Sequence, residues 1–256
     1  MMGSSHALSG AVAWLGLCAA AEPVAGLQPD PVTVVAGSAV AAGAALWPDI
    51  DHPSSTVARS LGPLTRAAAR IISYVSDKVR DNTCGCCATS GTHGHRTLTH
   101  TAVFAIATGV GLSLAGSHLG ASMAAWVVGL LTGVAVLGLR SGKGAWTAAV
   151  LLGGSAGAAV WQFGGGTDWW WLGIPAGLGT LIHTAGDGLT HHGVPLWWPL
   201  RIRGCRWQRV GTPRPLRFRT GGPAEQLVVA AMLAGGIAAA AALWGADLVG
   251  VFAGRS

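Results

Sequence analysis

Seven apolar stretches, at about 8–27, 31–47, 101–117, 121–139, 145–163, 169–191 and 226–250, dominate this chain. Each has roughly the 17–25 residues that carry a helix across a bilayer. In hydrocarbon every backbone amide and carbonyl must find a partner inside the protein, so such a chain is confined to packed helices. The expected fold is therefore all-α: a polytopic integral membrane helix bundle of six to seven spans, one domain over residues 1–256. Glu22 and Pro23 interrupt the first stretch and the second is short. A re-entrant hairpin is the alternative reading of that pair.

Composition narrows the field. Hydrophobic residues make up 51% of the chain and charged residues only 10%, with mean hydropathy +0.49. An ordinary soluble domain carries about 25% charged residues, and a disordered chain is poor in apolar residues; neither fits. The first ten residues lack Lys and Arg, so a secretory leader is not expected. The net charge is +6, but its carriers sit between apolar runs. Membrane orientation explains them better than nucleic acid does, and no nucleic-acid partner is expected.

With a cytoplasmic N-terminus, the inward loops are 48–100, 140–144 and 192–225. They hold every Lys and Arg except Arg255, the asymmetry of a multi-pass inner (plasma) membrane protein. Cys84, Cys86, Cys87 and Cys205 then face a reducing compartment and are expected as thiols. Trp169, Trp170 and Trp171 begin a span as interfacial anchors would, and Trp197 and Trp198 fall near the other interface. Loop 48–100 carries an apparent insertion at 77–94, "DKVRDNTCGCCATSGTHG". Its cysteines, with His93, suggest either a separate zinc site or a flexible loop. Over 197–219 basic and apolar residues alternate, which predicts a short β-hairpin able to meet anionic lipid headgroups.

The polar residues collect. His6 precedes the first span. Asp49, Asp51 and His52 lie in "LWPDIDHP", His95, Arg96 and His100 in "GHRTLTHT", and His183, Asp187, His191 and His192 in "HTAGDGLTHHG". The topology brings all four groups to the cytoplasmic end of the bundle. Taken singly, each has an ordinary explanation: a solvated interface residue, a turn, an internal ion pair. Together they form a metal constellation. His183, Asp187 and His191 are spaced by four and share a helix face. His plus Asp without thiolate suits zinc, with manganese or iron as alternatives.

The metal candidates are His6, Asp49, Asp51, His52, His95, His100, His183 and Asp187. Eight exceed one tetrahedral site, so two or more ions are expected, an arrangement that activates water and clamps a phosphoester. Arg96 could hold a phosphate bidentately or simply snorkel. Asp51 or Glu225 could position the water, though Glu225 could equally stabilise its helix N-terminus. His118 falls on the opposite side.

These motifs resemble the YdjM-like proteins, the LexA-regulated, membrane-bound predicted metal-dependent hydrolases. "LWPDIDHPSS", "GHRTLTHT" and "HTAGDGLTHHGVPLWWPLRIRGCRW" carry the likeness, which maps onto His6, Asp49, Asp51, His52, His95, Arg96, His100, His183, Asp187 and Thr190. "RTGGPAEQ" resembles the family's segment ahead of a Glu, here Glu225. The resemblance implies an all-helical protein of the zinc-dependent phospholipase C type, cleaving a lipid-like phosphoester at the membrane. An HxxxE element has no counterpart here, and "THHGVP" departs from the family pattern. A divalent-metal transporter and a non-catalytic membrane protein stapled by a metal are the rival readings.

Overall fold

The computed structural model describes residues 1–85 and 95–252. They form eight α-helices: α1 (Gly3–Ala25), α2 (Pro31–Ala44), α3 (Thr56–Arg59), α4 (Pro63–Thr83), α5 (Ala102–Leu139), α6 (Ala145–Phe163), α7 (Gly173–Gly188) and α8 (Pro223–Phe252). No strand forms among the described residues. Four helical segments are long and apolar enough to cross a membrane: Gly3–Ala25, Pro31–Asp51, Ala102–Leu139 and Pro223–Gly245.

Local chemistry sets these elements. Asp30 caps α2, its carboxylate accepting from the amides of Val32 at 2.9 Å and Thr33 at 3.0 Å, and Pro31 supplies a helical φ at the first position. Pro23 does not end α1. It falls in the last turn, and Gly26 at φ 67° closes the helix: its amide donates to the Glu22 carbonyl at 2.8 Å and the Leu27 amide to the Ala21 carbonyl at 3.2 Å. The first two stretches are thus full helices rather than a broken hairpin.

α5 is two helices in one. Gly120, at φ 58° and ψ −146°, breaks it. Gly116 lies against Trp169, whereas Gly138 lies against Leu46, so the second half returns antiparallel to the first. α7 packs between α1, α2 and α5, and α2 lies between α1 and α7. Glycine makes this approach close. A Cβ at Gly10 of α1 or at Gly179 of α7 would run into the Ala41 carbonyl of α2, the small-residue packing that membrane helices use in place of a hydrophobic drive.

Three expectations need correction. The hairpin over 197–219 does not form: the chain makes isolated bridges only, Thr190 with Phe218, Val194 with Val210 and Ile202 with Cys205. Pro199, Pro213 and Pro215 lack the amides a ladder needs. Trp169 is no interfacial anchor, since it is buried and donates to the Gly164 carbonyl at 3.0 Å. Cys84 and Cys205 are disulfide-bonded rather than thiols. The hydrogen bond from Trp207 to Thr83 at 2.9 Å draws the 205 region to the end of α4. Cys86, Cys87 and His93 lie outside the described residues.

Loop 48–100 also holds more order than its charge suggests. α4 fills 63–83, so the apparent insertion begins as the last turns of that helix. Leu64, Ala68, Ile71, Val75 and Val79 recur every three or four residues, and Leu64, Ile71 and Val75 remain exposed. A basic helix with one apolar face suits the membrane surface.

Candidate metal centre

Four chain segments meet at one end of the bundle. The end of α2 runs into a 3₁₀ turn (Trp47–Asp51) carrying Asp49 and Asp51. A second 3₁₀ turn (Leu98–His100) places His100 just before α5. The last turns of α7 supply His183 and Asp187, and the first turn of α1 supplies His6.

Asp49, His100, His183 and Asp187 offer one donor atom each, all within 4.8 Å of one another. His183 Nε2 stands 3.2 Å from His100 Nε2. Asp49 Oδ1 is 3.7 Å from His100 Nε2 and 3.5 Å from His183 Nε2. Asp187 Oδ2 is 3.5 Å from His100 Nε2 and 3.7 Å from His183 Nε2. Donors bound tetrahedrally about 2.0–2.2 Å from one ion stand about 3.3–3.6 Å apart. The five separations of 3.2–3.7 Å come close to that spacing, so the cluster could hold a single small divalent cation.

The hydrogen bonds fix which nitrogen faces the centre. His183 Nδ1 donates to the Ala45 carbonyl at 2.7 Å, leaving Nε2 as the lone-pair donor. Thr99 Oγ1 gives its proton to Asp51 Oδ2 at 2.7 Å, so it accepts from His100 Nδ1 at 3.0 Å. Both imidazoles are thus held by a second group in the tautomer that metal binding requires. Burial works to lower the His100 pKa, but its bonds to Asp187 and Asp49 and the charge of Asp51 outweigh it and raise it to about 9. Without a cation the carboxylates hold a proton there, and a cation would displace it.

The remaining candidates surround this set. His6 stacks on His183 with ring centroids 3.8 Å apart, and its Nε2 is 3.3 Å from Asp187 Oδ1. Its Nδ1 is buried without a hydrogen-bond partner. The Met1 amine also reaches Asp187 Oδ1, at 2.7 Å. Asp51 holds Thr99 and stands 3.0 Å from His95 Nδ1. His95 is 35% exposed and contacts His100 and His52 edge-on. His52 turns to Ser54, whose hydroxyl is 2.9 Å from its Nδ1.

Arg96 neither snorkels nor stands free. Its backbone is left-handed at φ 59°, unusual for a side-chain-bearing residue. Nε meets Asp187 Oδ2 at 2.8 Å and Nη1 donates to Thr190 at 3.1 Å. Glu225 accepts from the amides of Met2 at 2.7 Å and Gly221 at 2.8 Å, tying α1 to the start of α8. His191 leaves the shared helix face, because α7 ends at Gly188 and Thr190 folds back onto the Asp187 carbonyl; His191 and His192 are exposed. His118 is exposed beside the Gly120 break. Arg209 lies near Arg80 and Arg96; burial and their charges lower its pKa.

Sequence reasoning missed Thr99 and the Ala45 carbonyl as orienting groups. Thr99 lay inside the "GHRTLTHT" motif, but a carbonyl leaves no mark in a sequence.

A family model described as YdjM inner membrane protein matches residues 1–140. The chain belongs to the YdjM inner membrane protein family. The matched span includes Asp49 and His100, whereas His183 and Asp187 lie beyond it. No curated protein and no solved structure matches the chain.

Proposed function

We propose that this YdjM-family protein is a membrane-bound metal-dependent hydrolase that cleaves a phosphoester of a membrane lipid. The convergence of one donor atom each from Asp49, His100, His183 and Asp187 carries the reading. A divalent cation, zinc by its His/Asp donor set, would supply Lewis acidity and lower the pKa of water there. The chain's own residues do the rest. Ala45 and Thr99 lock the two imidazoles. Arg96 and His6 hold Asp187 from either side. His95, anchored by Asp51 and partly exposed, is the group able to pass a proton at the mouth of the site. We further propose six to seven crossings with the N-terminus cytoplasmic. The return of α5 at Gly120 and the near-complete confinement of Lys and Arg to one side support this.

The test is elemental analysis of the detergent-purified protein beside Asp49→Ala, followed by phospholipid hydrolysis. Bound zinc, manganese or iron lost in the variant, with metal-dependent turnover, is the expected result. A protein that binds no ion after reconstitution would refute the reading.

A further inference from the structure

We propose that the apolar groove between the α3–α4 segment and α5–α6 seats one acyl chain of the lipid whose headgroup meets the metal centre. The inference rests on the hydrolase reading and deepens it by assigning the lipid's tail a site. The groove encloses about 740 Å³, inside the range of roughly 300–1,000 Å³ typical of ligand pockets. No charged residue lines it, so it suits a hydrocarbon and no polar ligand. Its length suits one too. The lining runs along α5 from Ala125 to Leu137, about 18 Å at the helical rise. One leaflet's hydrocarbon is about 15 Å deep.

The groove lies beside the turn that carries Asp49. Trp47 and Ile50 line it, and they belong to the same 3₁₀ turn that presents Asp49 to the cation site. A smaller chamber of about 170 Å³ is lined by Gly3, Leu46, Asp49, Ser54, Ser55, Thr56 and Val57. Val57 borders both spaces. The chamber thus offers a carboxylate and hydroxyls beside an apolar groove. A phospholipid likewise carries polar groups, its phosphate and ester region, beside an apolar chain.

Photolabelling tests this without requiring turnover. The full-length protein in detergent would be loaded with zinc and irradiated with a phosphatidic acid bearing a diazirine midway along one acyl chain. Label should concentrate on the second half of α5 and on α6. Gly154→Phe should cut it about 15- to 60-fold, as exclusion of two or three buried methylenes implies. A Cβ at Gly154 meets no atom within 4 Å, so the ring enters the groove without displacing backbone. Ala158→Trp, one turn on, fills the same space independently, and unchanged zinc content certifies that both variants are folded. Label spread evenly over α1, α8 and the groove, and indifferent to both variants, would overturn the proposal. Specific labelling without ester cleavage would uphold the groove while refuting the hydrolase.

Discussion

Asp49 and Asp187 both offer an oxygen to the same centre, yet their removal should have different consequences. Asp49 is 25% exposed on its side chain, and its neighbours are His100 and His183. Asp187 is buried and also neutralises Arg96, whose side chain is only 13% exposed. Sharing an apparent zinc affinity of about 10–16 kcal/mol over four donors assigns ~3–4 kcal/mol to each. Either alanine variant should therefore weaken metal binding about 100–1,000-fold. Asp187→Ala also strands the largely buried Arg96 guanidinium and the buried Met1 amine, at about 3–5 kcal/mol. At ~2–4 °C per kcal/mol this lowers the melting temperature by about 6–20 °C. Melting followed by fluorescence of the twelve tryptophans, in excess chelator, isolates that term. Asp49→Ala should melt like the parent protein in chelator and Asp187→Ala well below it. Identical melting of the two variants would refute the account of Asp187 as the counter-charge of Arg96. Full metal occupancy in Asp49→Ala would remove it from the ligand set.

His95→Gln should keep its metal and lose about 100–10,000-fold in hydrolysis; turnover unchanged at constant metal content would exclude His95 as the proton carrier. Gly179→Ala should destabilise the bundle by about 1–3 kcal/mol through overpacking against the Ala41 carbonyl, read by denaturant titration in detergent. Orientation is decided in intact cells by reducing the disulfides and alkylating Cys205. Protection from a membrane-impermeant reductant and thiol reagent supports the cytoplasmic assignment. Labelling from outside would reverse the proposed topology, in keeping with the compartments where disulfides persist.

The sequence by itself determined much of this protein. Long apolar segments admit only helices, so the secondary structure followed from length and hydropathy. The Gly-rich joint at 116–120 already separated the halves of α5. The grouping of Asp49, His100, His183 and Asp187 was legible because each lies at the end of an apolar segment, and the expected topology brings those ends to one face. Periodicity also held the apolar face of α4, but the charges of loop 48–100 drew attention away from it.

Only the tertiary structure decided which of eight candidates can share an ion. Donor atoms must meet within a few ångströms, and that depends on where α7 stops, how the 3₁₀ turn exposes Asp49, and which side chains Asp51 and Arg96 engage. His191 illustrates the limit. Its spacing is right for the face of His183 and Asp187, but a helix that ends three residues earlier turns it to solvent. Sequence spacing sets the direction of a side chain only while the regular backbone lasts. Beyond the helix end, packing and hydrogen bonding across the bundle fix its place.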